Sequence, residues 1–410
     1  MDTVYRDVYE LILSCGPRLV YTARLEETGG VAPEGTPRGV HFESCVNEKA
    51  AYEMALAGAW ASKRTACLFS VEGVYEALDP LMSSAYIGVK GGFVVVCVKE
   101  GPLDVAPLGP FSKLPVLASD GAPDDLAAAL FSAFDLSERY EMPCVVETLP
   151  LKGRPSPAAG KAPDGTSAFV KDPARWAAIP KFRFKLHKAL NEKIDRIRDE
   201  FETYGGNVRI PGGAKGVITH RACRDGMAPG ASVLALGTIF PLPDRLVAAF
   251  IDDMEEVRIV EGDVPAIEVQ IRGTDRIDWT FRKGGSTGKG IASPAGREEL
   301  FGFTVVRDRL GPASAINLAH GMVKGGGAKK ILALTSGEAF FHSGLPAFVN
   351  TLYNGSAYVL VIERAEKWEK IGRALRGLGF NRFFRMKGAA DLARYADGGE
   401  LTVLFCEGDL

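Results

Sequence analysis

Between residues 38 and 150 short apolar runs alternate with longer amphipathic ones. VHFESCV reads as a short strand and the Ala-rich NEKAAYEMALAGAWASK as a helix; ACLFSV is a strand and ALDPLMSSAYIGVKG a second helix. GFVVVCVKE, the helical DDLAAALFSAFDLSERY and the strand CVVETL complete the series. Strands that are apolar throughout, separated by helices, predict a parallel sheet covered on both faces. This first domain spans 1–150.

The pattern then breaks. Residues 151–185 open with the proline-rich LKGRPSPAAGKAPDGTSAFVKDPARWAAIP, which has no sustained periodicity and reads as a surface linker. The polar helix KFRFKLHKALNEKIDRIRDEFETY follows. A smaller α/β unit, 186–272, contains the strand KGVITH, the strand SVLALGTIFPLP with its Pro-bracketed turn, the helix DRLVAAFIDDM and the strand RIVEG, and its alternation ends near AIEVQI. Residues 273–299 are Gly-, Ser- and charge-rich and predict a loop. From 300 to 410 the alternation resumes: helix SAINLAHGMVKGGG, strand KKILALTSG, helix GLPAFVNTLYNG, strand AYVLVIER, helix EKWEKIGRALRGLG, strand ELTVLFCE.

Composition narrows the classes. Apolar residues make up 46% of the 410 and charged residues 24%, the proportions of a globular chain with several cores. Lysines and arginines number 49 against 51 acids, so charge offers no reason to expect a nucleic-acid or membrane partner. The charged N-terminus MDTVYRDVYELILSCG lacks a secretory pattern, and no run approaches the roughly 18 apolar residues of a membrane helix. The expected location is the cytoplasm. Seven cysteines stand no closer than 22 residues apart, without CxxC, and the five histidines have no HExxH spacing. Neither a local zinc cradle nor an iron–sulfur cluster is expected of this chain. Cys67, Cys97 and Cys144 sit in strand-like runs and read as small buried hydrophobes.

Two glycine clusters resemble phosphate loops and fail the chemistry. GGSTGKG at 284–290 has Gly290 where the loop requires Ser or Thr, and Pro294 opposes a helix start. KGGGAKK at 324–330 precedes a strand instead of following one, as a helix-ending turn does.

Three longer blocks carry a resemblance. NEKAAYEMALAGAWASKRTACLFSVEGVYEALDPLMSSAYIGVKGGFVVVCV (47–98), LALGTIFPLPDRLVAAFIDDMEEVRIVEGDVPAIEVQI (234–271) and SGEAFFHSGLPAFVNTLYNGSAYVLVIE (336–363) resemble, in order, the pyrimidine-binding, middle and diphosphate-binding domains of indolepyruvate ferredoxin oxidoreductase large subunits. These are thiamine-diphosphate-dependent 2-oxoacid:ferredoxin oxidoreductases. The resemblance implies a multidomain α/β thiamine-diphosphate-enzyme fold, with two doubly wound parallel-sheet domains and a smaller middle domain. It also implies a homodimer, a small oxidoreductase subunit and ferredoxin as partners. Glu48 matches the glutamate that tautomerises the cofactor's aminopyrimidine. Asn47 is its expected N-cap, and the helix dipole favours an anion there. Gly88, Gly91 and Gly92 match the family's GVKGG turn, which a helix-ending turn explains equally well. His342 matches the histidine of FFHSG.

The departures concern the cofactor. The family places a Mg2+-ligating Asp where Gly337 stands, or Glu338 if one residue is deleted, and an Asp-Asn pair where Glu363-Arg364 stand. AEKWEK replaces the Thr-Gly-rich cofactor loop, and VYTARLEETGG the N-terminal substrate turn. The Cys-Pro-His-Arg stretch and the terminal ferredoxin-like domain with two 4Fe–4S clusters have no counterpart, and the chain ends at VLFCEGDL. Two readings stand: an oxidoreductase subunit that oxidatively decarboxylates an aryl-2-oxoacid, or a non-catalytic or repurposed paralogue that keeps the fold but does not bind Mg2+–thiamine diphosphate.

Overall fold

The structure, a computed structural model, describes residues 3–23, 33, 35–154, 180–223, 230–272, 298–300, 303–308, 312–324, 330–365, 368–395, 399–408 and 410. Both glycine clusters lie wholly or largely outside them. The chain forms two compact units, Met1–Thr287 and Gly288–Leu410.

In the first unit six parallel strands come from the N-terminal part: β1 Leu19–Thr22, β2 His41–Ser44, β3 Thr65–Ser70, β4 Phe93–Val98, β5 Val116–Ser119 and β6 Cys144–Thr148. Every residue of β4, β5 and β6 is buried, as strands covered on both faces must be. Helix Pro123–Tyr140 covers one face. It opens on Pro123, Asp124 and Asp125, suited to the first turn, and buries Leu126, Ala129, Leu130, Ala133 and Phe134 at three- and four-residue spacing. Arg64 lies over the Phe134 ring at 5.1 Å and forks onto both carboxylate oxygens of Glu138, at 2.7 and 2.8 Å.

The middle strands are β7 Val208–Ile210, β8 Gly213–His220, β9 Ala231–Leu236, β10 Thr238–Phe240 and β11 Glu256–Val260. Four of them form a second sheet in the order β11-β8-β9-β7. The fifth, β10, crosses to the first sheet and pairs antiparallel with β5, giving the order β10-β5-β6-β4-β3-β1-β2. One side chain directs this crossing. Asn207 Oδ1 accepts from the amides of Gly237 and Thr238 and the Thr238 hydroxyl, at 2.9, 3.1 and 3.0 Å. AIEVQI departs from strand alternation for a physical reason: the Glu261 carboxylate accepts from the amides of Ala266, Ile267 and Glu268 at 2.7, 2.7 and 3.1 Å, capping a helix at Ile267–Arg272. Helix Pro180–Phe201 begins inside the segment read as a linker.

The second unit holds β12 Glu298–Leu300, β13 Phe303–Arg307, β14 Ile331–Ser336, β15 Val359–Glu363, β16 Phe383–Arg385 and β17 Thr402–Phe405, in the order β12-β13-β14-β15-β17-β16. Only β12 runs antiparallel among these described strands. Glu298 and Glu299, read as the end of a loop, belong to it. Helices Ser314–Lys324, Leu345–Asn354 and Trp368–Gly377 supply the connections. Ile316, Phe340, Phe348 and Leu375 pack with Ile331, Leu360 and Phe405 in a core on one face of the sheet.

Candidate functional site

In open parallel sheets ligands sit at the carboxyl ends of the strands, where successive connections diverge. In the first sheet that point lies between β1 and β3, since the chain leaves β1 for β2 on one side and then continues through β3 and β4 on the other. Glu48 is there. It opens helix Glu48–Trp60, capped by Asn47, whose Oδ1 accepts from the Ala50 amide at 2.8 Å. Its half-buried side chain rests on Gly73, just past the end of β3, so closely that a Cβ on Gly73 would come within 2.9 Å of Glu48 Oε1. Gly91 and Gly92 are elsewhere. They precede β4 at the opposite, amino-terminal edge, where a Cβ on Gly91 would fall 2.2 Å from the Lys63 carbonyl oxygen and one on Gly92 2.9 Å from Glu138 Oε1. Close packing accounts for both glycines, so the structure does not bring them to Glu48. Gly88 caps its helix at φ 74°.

In the second unit, Ser336 and Glu363 are register partners at the carboxyl ends of β14 and β15. Ser336 Oγ accepts from the Ala339 amide at 3.1 Å. Gly337 is buried with its Cα side facing the Arg364 carbonyl, and Glu338 is exposed. The Glu363 carboxylate is engaged: Oε1 accepts from the Leu410 amide at 2.8 Å and lies 3.7 Å from Arg307. Arg364 is exposed at φ 49°, a left-handed conformation that strains a side-chain-bearing residue. His342 stands in the π-helical turn Phe340–Gly344, with Nδ1 2.6 Å from the Ser343 hydroxyl. Mg2+ needs several oxygen ligands in near-octahedral array. A side-chain-less Gly337, an engaged Glu363 and a cation at Arg364 do not supply them, so this edge does not fit the metal.

A third group was invisible to sequence spacing. Lys99 follows β4, Asp104 lies in the next loop, Glu147 is in β6, and His220 ends β8 of the second sheet. Lys99 donates to Asp104 Oδ1, and Glu147 Oε1 accepts from the Val105 amide at 3.0 Å. Ligand atoms of Asp104, Glu147 and His220 all lie within 4.8 Å of one another, and all three residues are buried. Burial, then the Asp104 charge, pushes the Glu147 carboxyl up to about 8 against the pull of Lys99 and the Val105 amide. Burial holds the His220 imidazole down to about 4 although Asp104 opposes it. Tyr75, in the same short helix as Gly73, donates to the Asp104 carbonyl at 2.7 Å, so one helix touches both this group and Glu48. The available sequence signals were a glutamate inside the apolar CVVETL and a histidine closing the apolar KGVITH.

No protein-family model matches the chain. Among solved structures, the 2-oxoglutarate:ferredoxin oxidoreductase from Magnetococcus marinus superposes with a TM-score of 0.50 at 16% identity, covering 63% of this chain and 57% of that one. The architecture is thus the multidomain α/β fold that this oxidoreductase shares. The particular resemblance comes from curated sequences. Indolepyruvate oxidoreductase subunit IorA of Pyrococcus abyssi is 26% identical over 458 aligned positions, covering 83% of this chain and 70% of its own. Its namesake from Pyrococcus horikoshii is 25% identical, covering 86% and 74%. Over most of its length this chain is similar to those subunits, as its three blocks imply. Among the described residues no helix is long and apolar enough to cross a membrane.

Proposed function

We propose that this chain is a diverged large subunit of a 2-oxoacid oxidoreductase, converting an aryl-2-oxoacid of the indolepyruvate type to its acyl-CoA while electrons leave through a partner subunit. The observation that supports this reading is the position of Glu48, at the divergence point of a parallel sheet and against Gly73. Residues 1–150 would be the pyrimidine-binding domain, 186–272 the middle domain and 300–410 the diphosphate-binding domain. A homodimer would bring pyrimidine and diphosphate halves together, and a small subunit and ferredoxin would carry the electrons onward. Thiamine diphosphate would supply the carbon nucleophile for the 2-oxo group. Glu48 would hold a proton on its pyrimidine, and Arg364 would pair with its diphosphate in place of a metal.

Calorimetry of the full chain with thiamine diphosphate, in Mg2+ and in EDTA, tests this. Binding of equal strength in both is expected. Glu48→Gln should leave binding nearly unchanged while stopping exchange of the cofactor C2 proton, read by NMR. Binding that EDTA abolishes would show that the metal site is intact. Absence of binding in both buffers would favour the second reading, a repurposed paralogue without the cofactor, to which the engaged Glu363 and the side-chain-less Gly337 already point.

A further inference from the structure

The buried group beneath the helix carrying Gly73 is more than a salt bridge. Lys99 and Asp104 satisfy each other, yet Glu147 Oε2 and both ring nitrogens of His220 find no hydrogen-bond partner among the described residues. Glu147 and His220 are 0% exposed. Burying polar atoms without partners is costly, and one ligand atom each of Glu147, His220 and Asp104 lies within 4.8 Å of the others. The donors, two carboxylates and one imidazole from three separate elements, are the mixed oxygen and nitrogen set that first-row divalent ions take. The site is closed by the second sheet's connection: a Cβ on Gly262 would come within 1.9 Å of Asp104 Oδ2.

We propose that Asp104, Glu147 and His220 form a structural site for a divalent transition ion of the zinc class, clamping the first sheet to the second. The ligand atoms, now within 4.8 Å of one another, need to draw in to about 3.3 Å for metal bonds of about 2.0 Å. The Asp104 loop can supply that movement, because Asp104 and Lys99 stand outside the strands. Lys99 competes for Asp104, so the ion binds against a resident cation. The ion would brace the Asp104 loop and, through Tyr75, the helix on which Glu48 rests.

The test uses the full chain, stripped of metal by chelation and titrated with Co2+ and then Zn2+. One Co2+ per chain with a visible d–d band, displaced by Zn2+, is expected. His220→Gln and Glu147→Gln should each weaken binding about 100-fold, and Lys99→Met should tighten it about tenfold. The proposal is overturned if the parent binds neither ion stoichiometrically, as it would were a buried water to satisfy these atoms. It is also overturned if all three variants bind like the parent, or lose binding equally. The parent's cobalt spectrum decides alone should a variant fail to fold.

Discussion

A glycine can be required by space as readily as by chemistry, and Gly91 shows the spatial case. A methyl group there would overlap the Lys63 backbone, which cannot rotate away. Gly91→Ala should therefore cost about 2 kcal/mol, read as a lower urea midpoint at unchanged slope. An unmoved midpoint would mean the turn is loose and reopen a ligand role for Gly91. The cysteines make a second residue-scale case. Burial pushes Cys15 and Cys45 up to about 12, Glu43 adding to the shift at Cys45, and raises Cys67, Cys97 and Cys144 as well. Because the thiolate is the reactive form, these five should stay inert in the folded chain, with no acceleration between about pH 7 and about pH 9. Cys223, half-buried, should give one fast equivalent with an aromatic disulfide, which Cys223→Ser removes. Several fast equivalents would contradict the core placement of the other thiols.

At the scale of elements, β10 is the strand most dependent on one side chain. It leaves its neighbour β9 for the first sheet, and Asn207 accepts three hydrogen bonds at the crossing while donating to the Phe201 carbonyl at 2.9 Å. Asn207→Ala removes all four and should cost about 3 kcal/mol in chemical denaturation. A cost below about 0.5 kcal/mol would show that the pairing of β10 with β5 suffices. The cap at Asn47 is a smaller effect. Asn47→Ala should cost about 1 kcal/mol, measured as a thermal shift, and a neutral result would mean that helix packing alone sets where Glu48 begins its helix.

At the scale of the molecule, the proposed homodimer has a direct readout. Helix Leu345–Asn354 leaves Val349 41% and Tyr353 90% exposed, one turn apart on the same face. Light scattering at micromolar concentration should report twice the chain mass of 43.9 kDa. Tyr353→Asp tests whether this face takes part in it, by lowering the measured mass towards a single chain.

Alternation of apolar and amphipathic runs was enough to read the parallel architecture, because buried strands and their covering helices each impose a local period on the chain. Glu48 and its Asn47 cap were legible for the same local reason: a helix start is written in adjacent residues. β5, β13 and β16 were not, being short and flanked by segments without a clean period. The tertiary structure alone decided the rest. Glu261 turns an alternating segment into a helix by accepting three amides. β10 changes sheets, Glu363 is drawn to Leu410, and Gly91 answers to Lys63 at the far edge from Glu48. Lys99, Asp104, Glu147 and His220 stand up to 121 residues apart in the chain and meet only because two sheets pack together. Periodicity records which face of an element is dry, but side chains from separate elements acquire a common chemistry only when folding removes the water between them.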